Sequence, residues 1–293
     1  MKGSRVSNFI YLLLVVLFLT VGVYFQKKDI NTGLIITEYL IVFLPALAFS
    51  FLFKKESIKE FLRFNKTNYK NIVLAVFITV FTYPIAVFGN LIIIFILNFF
   101  GLNDIPQVPL ASNNIEYIWF LFLMGITPGI CEETLFRGFF LRMNQYRGIK
   151  KSIVYTAFLF ALFHFNIYNF IGPFVLGIVF GYMTLVTNSI YPSIVGHALN
   201  NSIAVTLGYF YLNKIENVSN ISHEISNYII LFQLCFFGVL SVISFFIIRN
   251  LFKFMKGSSI LCNRKNVERG KLFDYIPIII CIFVYIYIFF TFH

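Results

Sequence analysis

Charge is what this sequence has least of. Asp, Glu, Lys and Arg make up 12% of its residues, about half the share of a soluble globular domain, so a water-facing surface cannot be built from it. Tryptophan occurs once, against 40 phenylalanines. Such bulk without polar handles is an aggregation hazard in water and a lipid-facing surface in a membrane. Cysteine is sparse too: Cys131, Cys235, Cys262 and Cys281 have no paired spacing and no CxxC. That excludes a disulfide framework and reads as thiols packed among apolar neighbours. Internal repeats, low-complexity tracts and any polar stretch long enough for a soluble domain are absent as well.

What the chain has instead is long apolar runs. A hydrocarbon core of about 30 Å takes about 20 residues of helix. Candidate runs lie at 8–25, 33–53, 71–98, 117–140, 152–165, 171–187, 190–211, 228–248 and 275–290. They predict an all-α polytopic membrane helix bundle of about eight to nine transmembrane helices, a single integral membrane domain over 1–293. Lys2 and Arg5 before the first run resemble the start of a signal peptide. The run is long and no small-x-small cleavage pattern follows, so it is expected to stay as an anchor.

The net charge of +11 is explained by where the bases sit. With the amino terminus in the cytoplasm, 20 of the 23 Lys and Arg fall in cytoplasmic segments and 3 in outer ones. This is the asymmetry of the positive-inside rule, and it puts the carboxyl terminus outside. The bases then face anionic lipid head groups; nucleic acid is excluded as a partner. Residues 54–70 alternate bases with Ile58, Phe61 and Leu62 at helical spacing, which predicts a short interfacial helix on the inner leaflet. Residues 255–271 are polar and basic and are expected to form an exposed loop. The bias toward Asn, Ile, Lys and Phe suits an AT-rich genome and leans toward a bacterial plasma membrane.

Ionisable groups inside the runs carry the functional argument, because a charge at the bilayer centre costs about 2.5–3.5 kcal/mol on insertion scales and needs a partner or a wet cavity. The fourth run contains Glu132, Glu133 and Arg137. Glu133 and Arg137 are four residues apart and share a helix face; Glu132 points about 100° away and is left to find another partner. The fifth run places His164 one turn after Phe160, and the seventh places His197 one turn before Asn201, beside Asn200. Counting from each cytoplasmic boundary, Glu132, His197 and His164 fall at about 8, 10–12 and 20 Å, so a polar cluster in one half of the membrane is feasible. Each group alone also has a structural reading. The Glu–Arg pair can be a bridge, a histidine can bond a carbonyl, and the asparagines can join helices. One shared site accounts for all of them at once.

At these residues the sequence resembles the CPBP family of intramembrane proteases, which includes the CAAX prenyl endopeptidases and bacterial Abi-type proteins. The family motifs EExxxR, FxxxH and HxxxN are matched by Glu132-Glu133 with Arg137, Phe160 with His164, and His197 with Asn201. Order and spacing agree, over a core of about 117–211. The resemblance implies an endopeptidase cleaving a peptide or lipid-modified protein near the cytoplasmic face. Glu132 would activate a water with His164, His197 and Asn201 would stabilise the oxyanion, and Glu133, Arg137 and Phe160 would orient the helices. Two readings of the cofactor stay open. Glu132, His164 and His197 suit a divalent metal such as zinc with an open position for water, and a metal-free glutamate–histidine site explains the asparagine equally well.

Other features are weaker. The HExxH helix of soluble metalloproteases is missing; His223-Glu224 is followed by Asn227 where the second histidine belongs. Cys131 lacks a basic neighbour to make a thiolate. Gly177 and Gly181 form a GxxxG suited to close helix packing, and Pro128-Gly129 would loosen the helix just before the glutamates. Against the peptidase reading stand a non-catalytic membrane immunity or scaffold protein of the same fold, for which bacteriocin immunity is the family precedent, and a transporter. A transporter would often show a pseudo-repeat, and none is visible.

Overall fold

The structure, a computed structural model, describes residues 2–102, 109–215, 227–255 and 272–292. His223, Glu224, Cys262 and most of the basic 255–271 stretch lie outside them. Each apolar run is a helix. We label them α1 (Arg5–Lys28), α2 (Ile30–Phe53), α3 (Tyr69–Phe99), α4 (Asn114–Arg147), α5 (Ile149–Phe163), α6 (Ile171–Thr187), α7 (Tyr191–Ile215), α8 (Tyr228–Phe254) and α9 (Leu272–Thr291). Among the described residues 6 helices, α1 to α4, α8 and α9, are long and apolar enough to cross a membrane. α6 is apolar but shorter, and α5, with 15 residues, is only about 22 Å long. No strand occurs among the described residues. The chain is an all-α integral membrane bundle.

The connections sort onto two faces as alternating crossings require. On one face Arg5 Nε pairs with Asp274 Oδ1 at 3.0 Å, Arg147 Nη1 donates to the Tyr275 hydroxyl, and Asn65 Nδ2 donates to Asn188 O at 2.9 Å. On the opposite face Trp119 Nε1 donates to Asn31 Oδ1 at 3.1 Å, Tyr209 to Asn114 Oδ1 at 2.7 Å, and Tyr168 to Leu102 O at 3.1 Å. The basic segments 2–7, 54–70 and 137–151 therefore share a face.

α4, α5, α6 and α7 form the centre, with α3 against α6 and α7, α8 outside α3, and α1, α2 and α9 closing the other flank. Glycines set close crossings among these central helices. A Cβ on Gly129 would lie 2.9 Å from the Ala198 backbone nitrogen, and one on Gly125 would lie 2.7 Å from Ser202 Oγ. Gly125 and Gly129 are one turn apart on α4, as Ala198 and Ser202 are on α7, so the two backbones approach with no side-chain layer between them. The GxxxG of α6 packs in the same way, a Cβ on Gly177 falling 2.8 Å from Ala157 of α5. The α4–α7 crossing fixes the site, because His197 and Asn201 each immediately precede one of the contacting residues.

Residues 54–70 behave differently from an interfacial helix. Only Ile58–Phe61 is helical, capped by Ser57 Oγ accepting from Glu60 N at 3.3 Å. Phe61 and Leu62 are buried, with the Phe61 ring 6.3 Å from that of Phe139. Arg63 then takes a left-handed φ of 60° and is fully buried. Its Nη1 donates to Arg137 O at 3.1 Å and its carbonyl accepts from Ile190 N at 2.9 Å. The segment plugs the base of the bundle, where the Arg63 side chain reaches one backbone carbonyl and its own carbonyl takes up an N–H.

Replacing Gly129 with valine should destabilise the fold by about 1–3 kcal/mol, the usual cost of overpacking. Thermal unfolding of detergent-solubilised protein, followed by the emission of Trp119, reads this as a lower midpoint. An unchanged midpoint would contradict the backbone contact.

Candidate active site

α4 is irregular where it carries chemistry. Wide π-type turns at Leu121–Ile126 and Thr134–Phe140 flank the Thr127–Glu133 segment, a feature common at functional sites. Pro128 has no N–H, so Met124 O loses its ordinary donor four residues on. Asn201 Nδ2 supplies one instead, at 3.2 Å. The proline that was expected to loosen this helix thus frees a carbonyl, and the last residue of the HxxxN motif takes it up.

Glu133 is fully buried and one of its oxygens makes two contacts: Oε1 lies 2.7 Å from Arg137 Nη1, an ion pair, and 2.9 Å from His197 Nδ1. The first is the expected pair. The second was not expected, and it holds the His197 ring by its Nδ1, turning Nε2 toward Glu132, whose Oε2 lies 3.6 Å away. The two carboxylates, on adjacent residues, thus address opposite nitrogens of one imidazole. Phe160 is the common floor. The Arg137 guanidinium sits 4.3 Å above its ring, the His164 ring meets it edge-on at 4.9 Å, and the His197 ring does so at 5.6 Å. Phe180 stacks on His197 at 5.7 Å. A cation over an aromatic face, away from water, is held by the ring's quadrupole, so the phenylalanine of the second motif braces residues of all three.

His164 ends α5. Its own N–H bonds Ala161 O at 3.3 Å, leaving Phe160 O open, and the ring Nδ1 donates to that carbonyl at 2.8 Å. The tautomer is thereby set and Nε2 keeps its lone pair. α5 stops here because Phe165 adopts a left-handed φ of 47°.

A cavity of about 200 Å³ is lined by His164, His197, Asn200 and Asn201 together with Phe160, Tyr83, Asn90, Asn169 and apolar residues of α3 and α6. The structure therefore brings Phe160, His164, His197 and Asn201 to one space. Glu132 does not line it and meets it through His197 instead. Glu132 makes no direct bond to His164, although it lies within electrostatic reach of that ring. Asn200 Nδ2 donates to Asn201 Oδ1 at 3.2 Å. Cys131 is buried among apolar side chains.

Among the described residues no three His, Cys, Asp or Glu side chains are grouped as a metal site requires. Glu132, His164 and His197, as arranged, do not make the three-donor set that zinc would need.

Sequence reasoning passed over Glu38. It lies within the second apolar run, on the part of α2 that packs against Thr127–Glu133. It is buried, and its field reaches Glu132 and Cys131. An acid inside a membrane run was the available signal.

Substituting Arg137 with alanine should leave Glu133 buried and uncompensated, a loss of about 3–5 kcal/mol. The double substitution Glu133→Leu with Arg137→Leu should be milder. Midpoints of thermal unfolding compare the two; equal losses would mean the pair contributes only packing.

Residues 114–203 match the family model described as Rce1-like, type II CAAX prenyl endopeptidase. The match covers α4 to α7 up to Ile203 and leaves α1, α2, α3, α8 and α9 outside it. No curated protein and no solved structure matches the chain significantly. The matched segment is the one that carries EExxxR, FxxxH and HxxxN, so over residues 114–203 the chain is similar to the CAAX-type intramembrane proteases.

Proposed function

We propose that this protein is an intramembrane endopeptidase that hydrolyses a peptide bond in a membrane-associated peptide or lipid-modified protein. The observation that carries the reading is His197. It is held on one side by Glu133, faced on the other by Glu132 at 3.6 Å, and exposed to a cavity it shares with His164 and Asn201.

In this reading Glu132 is the base. It takes a proton from a water whose other O–H donates to His164 Nε2, and the hydroxide attacks the substrate carbonyl. As the C–N bond breaks, the same proton passes from Glu132 to the leaving amine, so the carboxylate is restored. Negative charge developing on the carbonyl oxygen meets the second N–H of the Asn201 amide, with the His197 ring beside it. Both are fixed before substrate arrives, His197 by Glu133 and Asn201 by Met124 O, and preorganised donors of this kind stabilise a transition state most effectively. No step requires a metal.

The bases at 54–70 and 137–151 favour the cytoplasm for the face that carries the amino terminus. The likeness to prenyl endopeptidases makes a prenylated peptide the first substrate to try. A bacterial plasma membrane as the setting would make an unprenylated membrane peptide an equal candidate.

A second reading, a non-catalytic immunity or scaffold protein of the same fold, draws on the cavity wall not including Glu132. Purified protein in liposomes, given prenylated and unprenylated peptides, separates the two. Glu132→Gln, His164→Ala and His197→Ala should each lower kcat by about 10²–10⁴, and Asn201→Ala by about 10²–10³, with the fold intact by thermal unfolding. Cleavage that survives Glu132→Gln, or none from the unaltered protein on any such peptide, would favour the scaffold. Treatment with 1,10-phenanthroline should leave turnover unchanged; inhibition reversed by added zinc would replace the metal-free mechanism with a metal-dependent one.

A further inference from the structure

The cavity at the site is closed toward one membrane face and reaches the surface toward the other. On the basic side α3 and α7 meet without a gap, for a Cβ on Gly196 would lie 2.6 Å from Thr79 Oγ1 and 3.0 Å from Phe180. Thr79 is fully buried. Nearer the basic face Thr184 Oγ1 donates to Ser193 Oγ at 3.1 Å, also away from solvent. Leu62 and Arg63 fill the space against Gly138 and Arg137. No described residue of the basic segments 54–70 and 137–151 lines the cavity.

In the other direction the lining climbs. α3 starts at the basic face at Tyr69, and its cavity residues run from Tyr83 to Asn90, about 21 to 32 Å along the helix. α6 starts at the opposite face and contributes only its first turns, Gly172 to Leu176. Asn169 lines the cavity from the turn between α5 and α6, next to Tyr168 and its bond to Leu102 O. His197, at the inner end, has 3% of its surface exposed, whereas Asn169 is exposed. Asn90 frames this mouth: Nδ2 donates to Asn169 Oδ1 and Oδ1 accepts from Gly172 N, both at 2.7 Å. Beside it a Cβ on Gly89 would lie 2.3 Å from Ile171 Cγ2, so α3 and α6 leave no gap between them there.

The wall also has a chemistry. No Asp, Glu, Lys or Arg among the described residues lines the cavity, whereas four amides do, those of Asn90, Asn169, Asn200 and Asn201. Asn200 Oδ1 is buried with no partner, an acceptor left for an N–H to satisfy. Amides offer donor and acceptor side by side, which suits a peptide backbone and gives an anionic head group no cation to pair with.

We infer that substrate reaches the catalytic groups from the face opposite the basic segments, past Asn169 and Asn90, as an uncharged stretch of peptide chain. The inference rests on the peptidase reading for the identity of what enters, but not for the route. It departs from cleavage near the cytoplasmic face, which the family resemblance implied. With the bases in the cytoplasm, the mouth lies on the outer surface. A peptide that has already crossed the membrane then fits the site better than a protein whose carboxyl terminus is modified in the cytoplasm.

Cysteine labelling in sealed vesicles tests the route. In protein whose four native cysteines are replaced by alanine, Ala86→Cys puts a thiol on the cavity wall, where the parent side chain is buried. Lys55→Cys marks the basic face. A charged, membrane-impermeant methanethiosulfonate should label Ala86→Cys only from the face opposite the one that labels Lys55→Cys. Asn169→Cys should react from the same side as Ala86→Cys. A bulky maleimide attached there should lower kcat/KM at least about tenfold, with the midpoint of thermal unfolding unchanged. Labelling of Ala86→Cys from the basic face, or from neither face, would overturn the inference, as would full turnover after the maleimide has reacted. If the parent cleaves no peptide, the peptidase reading fails and the labelling still decides the route. If Ala86→Cys does not fold, Leu176→Cys, buried on the cavity wall from α6, answers the same question.

Discussion

The site depends on one buried charge arrangement, the Glu133 carboxylate shared between Arg137 and His197. The guanidinium satisfies the charge at 2.7 Å and the imidazole is held at 2.9 Å. With both partners present the carboxylate is tolerable in lipid; with either missing it is an uncompensated charge away from water. Everything near it follows from seating those two partners. Phe160 lies under Arg137 and against both histidines, Phe180 covers the outer side of His197, and Arg63 reaches in from the base of the bundle to hold the carbonyl of Arg137. Residues that read as a structural pair in the sequence therefore also determine which nitrogen of His197 is available for chemistry.

A second constraint is steric. α4 and α7 must meet backbone to backbone for a histidine on one to reach two glutamates on the other, and Gly125 and Gly129 permit it. The same stretch contains Pro128, whose missing N–H leaves Met124 O to Asn201. Helix packing and side-chain placement are thus one event in this part of the fold: the contact that draws the helices together also orients the amide.

Much of this was legible in the sequence. Hydropathy found each helix, because in a bilayer length and apolarity leave little else to decide. Spacing alone put Glu133 beside Arg137, Phe160 beside His164 and His197 beside Asn201. What spacing could not reach were bonds between distant parts of the chain, such as Glu133 to His197, 64 residues apart. Residues 54–70 looked like a surface helix because their pattern is amphipathic. The burial of Phe61, Leu62 and Arg63 among them goes with a left-handed turn at Arg63, where no glycine advertises it. Gly125-x-x-x-Gly129 was legible in principle, but its proline suggested loosening rather than contact. Glu38 stood in plain view inside an apolar run, with nothing nearby in sequence to tie it to α4.

The glycine seam also bears on how anything enters. Between most membrane helices lies a layer of side chains that can swing aside and admit a guest one rotamer at a time. Where α4 meets α7 there is no such layer, for a Cβ on Gly129 would already sit 2.9 Å from the facing main chain. That seam, behind the α7 residues that line the cavity, yields only if whole helices separate. A lipid-borne chain cannot slip through it.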